Sequence, residues 1–102
     1  MNLQIRTVHF DADQKLLDHV NAKIEKLRTF HDKIIGAEVY LKMDNFHHQV
    51  KDKVAEIKVY VPKHSYFVKH QSKTFEESFD LAFNSLVNQI KRSKEKHSAV
   101  HV

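Results

Sequence analysis

The segment from Thr74 to His97 constrains the fold most, because its apolar residues recur at spacings of three and four. That period is typical of an α-helix with one face packed against a core. The apolar positions are Phe75, Phe79, Ala82, Phe83, Leu86 and Ile90. Thr74 and Glu77 fit a capping box, in which each side chain bonds a free backbone N–H group of the first turn. We therefore predict a long amphipathic helix over 74–97, with a polar and basic final part.

The rest of the chain alternates between the period of a strand and the period of a helix. Asp11 or Asp13 is a suitable N-cap for the first helix. A polar interval from Asp44 to Lys53, which contains His47 and His48, predicts a long hairpin loop. The predicted elements are β1 over 2–9, α1 over 11–30, β2 over 35–43, β3 over 55–61, β4 over 66–71 and α2 over 74–97.

This order, β-α-β-β-β-α, predicts an α+β fold with a four-stranded mixed sheet. A helix between β1 and β2 favours a parallel pair with a right-handed crossover, and short connections favour antiparallel hairpins afterwards. Both helices then pack on one sheet face, as in double-stranded RNA-binding domains, which the arrangement resembles. Val39 and Ile57 are predicted to face the helices, and Tyr40 and Lys58 to face solvent. We predict a single domain over 1–97 and a frayed tail over 98–102.

Composition limits the class of protein. The 102 residues are 41% hydrophobic with one glycine and one proline, which suits one compact domain. The formal net charge of +4 favours an anionic partner. No cysteine is present, and no run of about eighteen apolar residues would span a membrane. We expect a cytoplasmic protein without a membrane partner.

The basic residues suggest where an anion binds. They gather in the second half of α1 and at the end of α2, so helices lying side by side would form a positively charged groove for a phosphate backbone. The alternative is that these side chains are only solvated helix faces. The candidate RNA-binding residues are Lys23, Lys26, Arg28, Lys33, Lys91, Arg92, Lys94 and Lys96.

Other chemistry has little support in the sequence. The nine histidines, including His47 and His48, lack cysteine partners and a His-Glu-x-x-His spacing, so we predict neither a metal site nor a cofactor. His70, on a strand, is interpreted as part of the fold, and the other histidines as scattered surface residues. No serine lies in a glycine-flanked elbow, so an enzyme is disfavoured. Tyr40 and Tyr60 would suit base stacking, although cross-strand packing is the commoner role.

Several segments together resemble one known family, the ribosome hibernation-promoting factors, also called ribosome-associated inhibitors or sigma-54 modulation proteins. The resemblance spans nearly the whole chain, and the chain resembles the short form of the family. The matching segments are 20–27 (VNAKIEKL), 39–41 (VYL), 79–80 (FD) and 86–96 (LVNQIKRSKEK).

The resemblance implies a non-enzymatic translation inhibitor of bacterial cytosol. Such proteins lay the basic face of their two helices on small-subunit RNA in the messenger channel, where transfer RNAs would otherwise sit. It implies the small ribosomal subunit and its rRNA as partners, no small-molecule substrate, and a monomer when free. The family-like basic positions are Lys23, Lys26, Arg92, Lys94 and Lys96, and Arg28, Lys33 and Lys91 would extend the same face. A general structured-RNA-binding module and a regulator that binds a protein partner are the alternatives.

Overall fold

The structure is a computed structural model that describes the backbone of residues 1–44 and 52–100 and the side chains of residues 1–43 and 53–94. It contains the predicted elements in the predicted order, with a short 3-10 turn after the first helix. Their bounds are β1 Asn2–Val8, α1 Gln14–Glu25, the 3-10 turn Lys26–Thr29, β2 Gly36–Asp44, β3 Asp52–Val61, β4 His64–Ser72 and α2 Phe75–Val100.

The four strands form one sheet in the order β1-β2-β3-β4. β1 runs parallel to β2, whereas β3 is antiparallel to both β2 and β4, as predicted. The β2–β3 register continues to the pair Asp44 and Asp52, so β3 begins three residues before its predicted start and β2 ends one residue after its predicted end. His47 and His48 lie outside the described residues. The predicted α+β fold with a mixed sheet is confirmed.

Both helices cover the same face of the sheet. Alternate strand residues point to them and are fully buried, among them Val39, Ile57 and Val59. The intervening residues Tyr40 and Lys58 are only partly covered, which confirms the predicted assignment of faces. The helices contribute the other half of the core, with these side chains at most 6% exposed: Leu16, Val20, Ile24, Leu27, Phe75, Phe79, Ala82, Phe83, Leu86 and Ile90.

The first helix begins and ends at defined side-chain contacts. The Asp13 carboxylate accepts a hydrogen bond from the Leu16 backbone N–H at 2.8 Å, so Asp13 rather than Asp11 is the N-cap. α1 ends at Glu25, before the predicted end at residue 30, and the chain tightens into the 3-10 turn. There the backbone N–H of Phe30 donates to the carbonyl of Leu27 at 2.9 Å. Leu27 is buried in this 3-10 turn, as it would be in an α-helix. The apolar spacing alone therefore does not show where the α-helix ends.

The second helix begins where predicted. The Thr74 hydroxyl accepts a hydrogen bond from the Glu77 backbone N–H at 3.1 Å, which is the first half of the proposed capping box. The buried Ser78 hydroxyl lies against the carbonyl oxygens of Thr74, at 2.9 Å, and of Lys53 on β3, which fixes the start of the helix on the sheet. α2 continues beyond the predicted end at His97 to Val100, so it includes the first part of the predicted tail.

Within the ranges that the structure describes, no helix combines the length and the apolar character needed to cross a membrane.

Candidate nucleic-acid interface

The two helices lie side by side and run in the same direction. The segments around α1 and α2 touch in sequence order from one end of the pair to the other. The successive contacts are Phe10 with Phe75 (ring centroids 4.1 Å apart), His19 with Asp80 (2.7 Å), Lys23 with Phe83 (5.5 Å) and Phe30 with Lys91 (5.4 Å). Both helix N-termini therefore lie at one end of the sheet, and both C-terminal parts lie at the other.

Charge is separated along this pair of helices. Asp13 caps α1, and Glu76 and Glu77 occupy the first turn of α2, so the N-terminal end is acidic. Basic residues dominate at the opposite end. Each sign compensates the local pole of the helix dipole, which is positive at N-termini and negative at C-termini. Because the two helices are parallel, the acidic residues of both N-termini lie at one end of the pair and the basic residues of both C-terminal parts lie at the other.

A cluster of lysines surrounds the residues that follow the 3-10 turn. The Lys91 ammonium lies 5.4 Å from the centre of the Phe30 ring, and Lys94 and Lys33 are close enough to His31 to affect its ionisation. Lys26 is exposed and is the first residue of the 3-10 turn itself, three residues after Lys23. We call Lys26, Lys33, Lys91 and Lys94 the basic cluster. It contains four of the eight candidate RNA-binding residues.

His31 lies within the basic cluster. Its Nδ1 accepts a hydrogen bond from the backbone N–H of Lys33 at 3.1 Å. Burial lowers the pKa of His31 from 6.5, and Lys94 and Lys33 lower it further, while Asp32 acts in the opposite direction. Two lysines that lower the pKa of a neighbouring imidazole mark a site where the potential is positive. An anion bound beside His31 would reduce the lowering of its pKa by these lysines.

Lys23 lies between the helices. Its ammonium is 3.5 Å from the carboxylate of Asp80 and 5.5 Å from the centre of the Phe83 ring, and its side chain is 29% exposed. The same carboxylate oxygen of Asp80 is 2.7 Å from Nε2 of His19. Asp80 therefore joins two α1 side chains to α2 and partly neutralises the middle of the predicted groove. His19 is part of this junction, so its prediction as a scattered surface residue is wrong.

The remaining candidate residues lie elsewhere. Arg28 points along the first helix, with Nε 3.4 Å from the Glu25 carboxylate. Arg92 lines a depression between α2 and β4, on the opposite side of α2 from the contact between Lys91 and Phe30. The backbone of Lys96 belongs to α2, but its side chain lies outside the described residues.

The open face of the sheet carries the two tyrosines considered for base stacking. They are not direct cross-strand partners: Tyr40 pairs with Glu56, and Tyr60 with Gly36. Instead both hydroxyls donate to the carboxylate of Glu38, at 2.8 and 3.2 Å. The hydrogen bond to Glu38 is the main cause of a raised pKa at Tyr40. Lys42 and Lys58 lie over the Tyr40 and Tyr60 rings at 5.7 and 5.2 Å, which leaves these faces less accessible to a base.

Sequence patterns missed the side chains that organise the interface. Asp80 and His19 lie sixty-one positions apart, and only the packing of α1 on α2 brings them together.

His70 behaves as predicted, because its Nε2 lies 2.7 Å from the Ser85 hydroxyl and links β4 to α2. Among the residues described, His, Asp and Glu side chains form no group of three that could hold a metal ion.

Comparison with known proteins agrees with this fold. A solved ribosomal subunit interface protein from Coxiella burnetii superposes with a TM-score of 0.82 over 93% of this chain and 99% of that one; at 17% identity this likeness shows the fold. The N-terminal domain of Thermus thermophilus Protein Y superposes with a TM-score of 0.77 and is 25% identical, covering 90% of this chain and 98% of that one.

The sequence comparisons give the family. The ribosome hibernation promotion factor of Bacillus subtilis (strain 168) is 29% identical over 98 residues, which are 94% of this chain and 50% of that protein. The chain thus spans about half the length of this curated relative. The family described as sigma 54 modulation protein / S30EA ribosomal protein matches residues 3–98. Because that match covers almost the entire chain, the protein belongs to the sigma 54 modulation / S30EA ribosomal protein family.

Proposed function

We propose that this protein is a ribosome hibernation factor that binds the small ribosomal subunit and inhibits translation without catalysing a reaction. The basic cluster, Lys26, Lys33, Lys91 and Lys94, contacts the phosphate backbone of rRNA. The protein occupies the messenger and transfer-RNA channel of the subunit, and translation stops because the sites are filled. It acts as a monomer in the cytoplasm and needs no cofactor.

The basic cluster is the observation that carries this proposal. Lys33, which follows the 3-10 turn, and Lys91 and Lys94 from α2 gather at one end of the helix pair around Phe30 and His31, and Lys26 is exposed at the start of that turn. The dipole of a helix is equivalent to about half a negative charge at its C-terminus, so this concentration of cations exceeds what the helix dipoles would neutralise. Neighbouring lysine ammonium groups repel one another, and bound phosphates offset that repulsion. Family membership, and a relative named as a ribosome hibernation promotion factor, support the ribosome as the source of those phosphates.

The remaining predicted contacts have distinct places in this proposal. Lys23 contributes at the inner edge of the surface, where Asp80 reduces its charge. Lys96 remains a predicted contact from the sequence. Arg28 lies on the flank of the first helix, where Glu25 offsets it. We therefore expect the basic cluster to contribute more binding free energy than Lys23 or Arg28.

The direct test is co-sedimentation of the protein with purified small subunits over a range of salt concentrations. The double reversal Lys91→Glu/Lys94→Glu should abolish binding at moderate salt. Single Lys91→Gln and Lys94→Gln changes should each weaken binding and reduce the slope of log K against log salt by about 1. The matched control is Lys15→Glu/Lys73→Glu, which changes the net charge equally at the acidic end, where both side chains are exposed.

Four outcomes would reject the proposal in different ways. If the wild type stays in the free fraction at low salt, ribosome binding is wrong. If the control reversal weakens binding as much as the cluster reversal, only net charge matters. Equal affinity for a generic RNA duplex and for small subunits would favour the structured-RNA-binding module instead. A partner interaction that barely changes with salt would favour a regulator that binds a protein.

A further inference from the structure

Arg92 does not lie with the basic cluster, and its surroundings form a site of their own. A depression of about 300 Å³ lies between β4 and the second half of α2. We call it the β4 pocket. Lys91, the preceding residue, is directed to the other side of α2 and contacts Phe30. The β4 pocket is lined by His64, Tyr66, Gln89, Arg92 and Ser93.

One side of the β4 pocket is aromatic. Tyr66 is only 6% exposed and is part of the core, so its ring is held firmly. The His64 ring meets it edge to face, with ring centres 4.7 Å apart and planes at 86°. His64 itself is exposed at the start of β4. The accessible His64 imidazole, supported by the buried Tyr66 ring, offers a planar ligand a surface on which to stack.

The other side is polar and comes from α2. The Gln89 amide nitrogen donates to the backbone carbonyl of Phe67 at 3.3 Å, which uses one of its two N–H groups and holds the amide beside the pocket. Arg92 and Ser93 follow on the next turn. A guanidinium group and a hydroxyl group are both suitable donors to a phosphate, and the guanidinium can donate two parallel hydrogen bonds.

We propose that the β4 pocket binds one nucleotide of single-stranded RNA, with the phosphate on Arg92 and Ser93 and the base against His64 and Tyr66. The Gln89 amide reads the edge of the base. A volume near 300 Å³ is at the lower end of the range for ligand pockets and suits one nucleotide rather than a larger ligand. This inference takes RNA as the partner from the proposed function and adds a second contact, on the other side of α2.

Charge and stacking groups together favour a nucleotide over a simple anion. A sulfate or phosphate site needs donors but no aromatic wall, whereas a peptide of acidic residues has no aromatic ring to stack on His64. Recognition of unpaired RNA commonly combines a stacked base with hydrogen bonds to its edge. RNA with an unpaired nucleotide near the phosphates held by the basic cluster would contact both sides of α2.

The test uses the full chain labelled with ¹⁵N, titrated with adenosine 5′-monophosphate and, separately, with inorganic phosphate. The nucleotide should shift the resonances of His64, Ser93 and the Gln89 side-chain amide, and leave those near Phe30 unchanged. Arg92→Gln should weaken binding of the nucleotide at least about fivefold, and Arg92→Lys should weaken it less, because the charge remains while the planar donor pair is lost. The matched control, Lys69→Gln, removes the same charge from an exposed side chain of β4 that does not line the pocket, and should change the affinity less than about twofold.

Equal affinities for phosphate and for the nucleotide, with the same shifted resonances, would overturn the inference, because the base would then contribute nothing. Equal losses of affinity in Arg92→Gln and Lys69→Gln would also overturn it. A polyglutamate peptide that displaces the nucleotide at similar concentration would assign the pocket to an acidic protein segment instead.

Small-subunit co-sedimentation separates this inference from the proposed function. Wild-type protein that sediments with subunits but shows no nucleotide shifts would reject only the β4 pocket. Nucleotide shifts without co-sedimentation would reject the ribosome as partner and retain the pocket.

Discussion

The contacts of Asp80 with His19 and Lys23 join the two helices. From them we predict two effects of Asp80→Asn, lower stability and tighter binding of RNA. Asp80 accepts from His19 at 2.7 Å and attracts Lys23 at 3.5 Å across the gap between α1 and α2. Asparagine keeps an oxygen that can accept from His19 but removes the negative charge. The change therefore weakens the contact between the helices and leaves Lys23 without its nearby carboxylate.

The expected loss of stability is small because the junction is partly open to water. The side chains of Asp80 and His19 are 39% and 32% exposed. Exposed ion pairs contribute roughly 0.2–1 kcal/mol, and a typical hydrogen bond contributes about 1 kcal/mol net. We expect Asp80→Asn to lower the free energy of unfolding by about 1 kcal/mol, which corresponds to a fall in Tm of about 5 °C for a domain of this size.

Urea unfolding of the single variants Asp80→Asn and His19→Ala and of the double variant measures the coupling directly. Because the two side chains touch, the double variant should lose less than the sum of the single losses. Asp18→Asn is the matched control: it removes the same charge from an exposed carboxylate that bonds only to Gln14 within α1 among the described contacts. Additive losses in the cycle would refute the assigned role of Asp80.

The binding measurement is made on the same variants. If Lys23 reaches phosphates once Asp80 is neutral, small-subunit binding of Asp80→Asn should tighten and depend more steeply on salt, by about one unit of the log–log slope. Asp18→Asn, which lies toward the acidic end, should change the slope much less. Weaker binding by Asp80→Asn at unchanged helix content would show that Asp80 itself positions an RNA contact.

Four other predictions follow from local contacts. The pKa of His31 in the folded protein lies below 6.5. The contribution of His31 to stability is therefore full above pH 6.5 and falls as the pH drops through the lowered pKa. His31→Gln should flatten this part of a plot of the urea unfolding midpoint against pH. Bound RNA should raise the pKa of His31, measured by NMR titration, because phosphates offset Lys94. Glu38→Gln should lower the pKa of Tyr40 toward 10, followed by phenolate absorbance. Thr74→Ala should cost about 1 kcal/mol in thermal unfolding, because it removes the N-cap of α2.

Periodicity predicted the fold well because each element buries one continuous face. The strict alternation in β2 and β3 placed Val39, Ile57 and Val59 in the core and set the two faces of the sheet. The helical spacing from Phe75 to Ile90 identified α2, and the Thr74 cap gave its first residue. Such patterns depend on neighbours within one element, so they are visible without tertiary structure.

The candidate interface was less accessible to sequence reasoning, because it depends on how one helix is rotated against another. Basic composition identified Lys91, Arg92 and Lys94 as candidates but did not show that Arg92 lies on the β4 side of the helix. Adjacent residues on a helix are rotated by about 100°, so consecutive cations cannot all face the same partner. Nor did any pattern indicate that Asp80 lies beside Lys23, since this contact requires both α1 and α2 in place.

The separation of charge along the parallel helices has a consequence for how the protein meets a polyanion. α2 contains 26 residues and is therefore about 39 Å long, several times the screening distance of about 8 Å at physiological salt. Salt would therefore screen phosphates bound at the basic end from almost all repulsion by the acidic end. At longer range and lower salt, the same asymmetry would exert a torque that turns the molecule basic end first, so encounter would be faster than the modest net charge of +4 suggests.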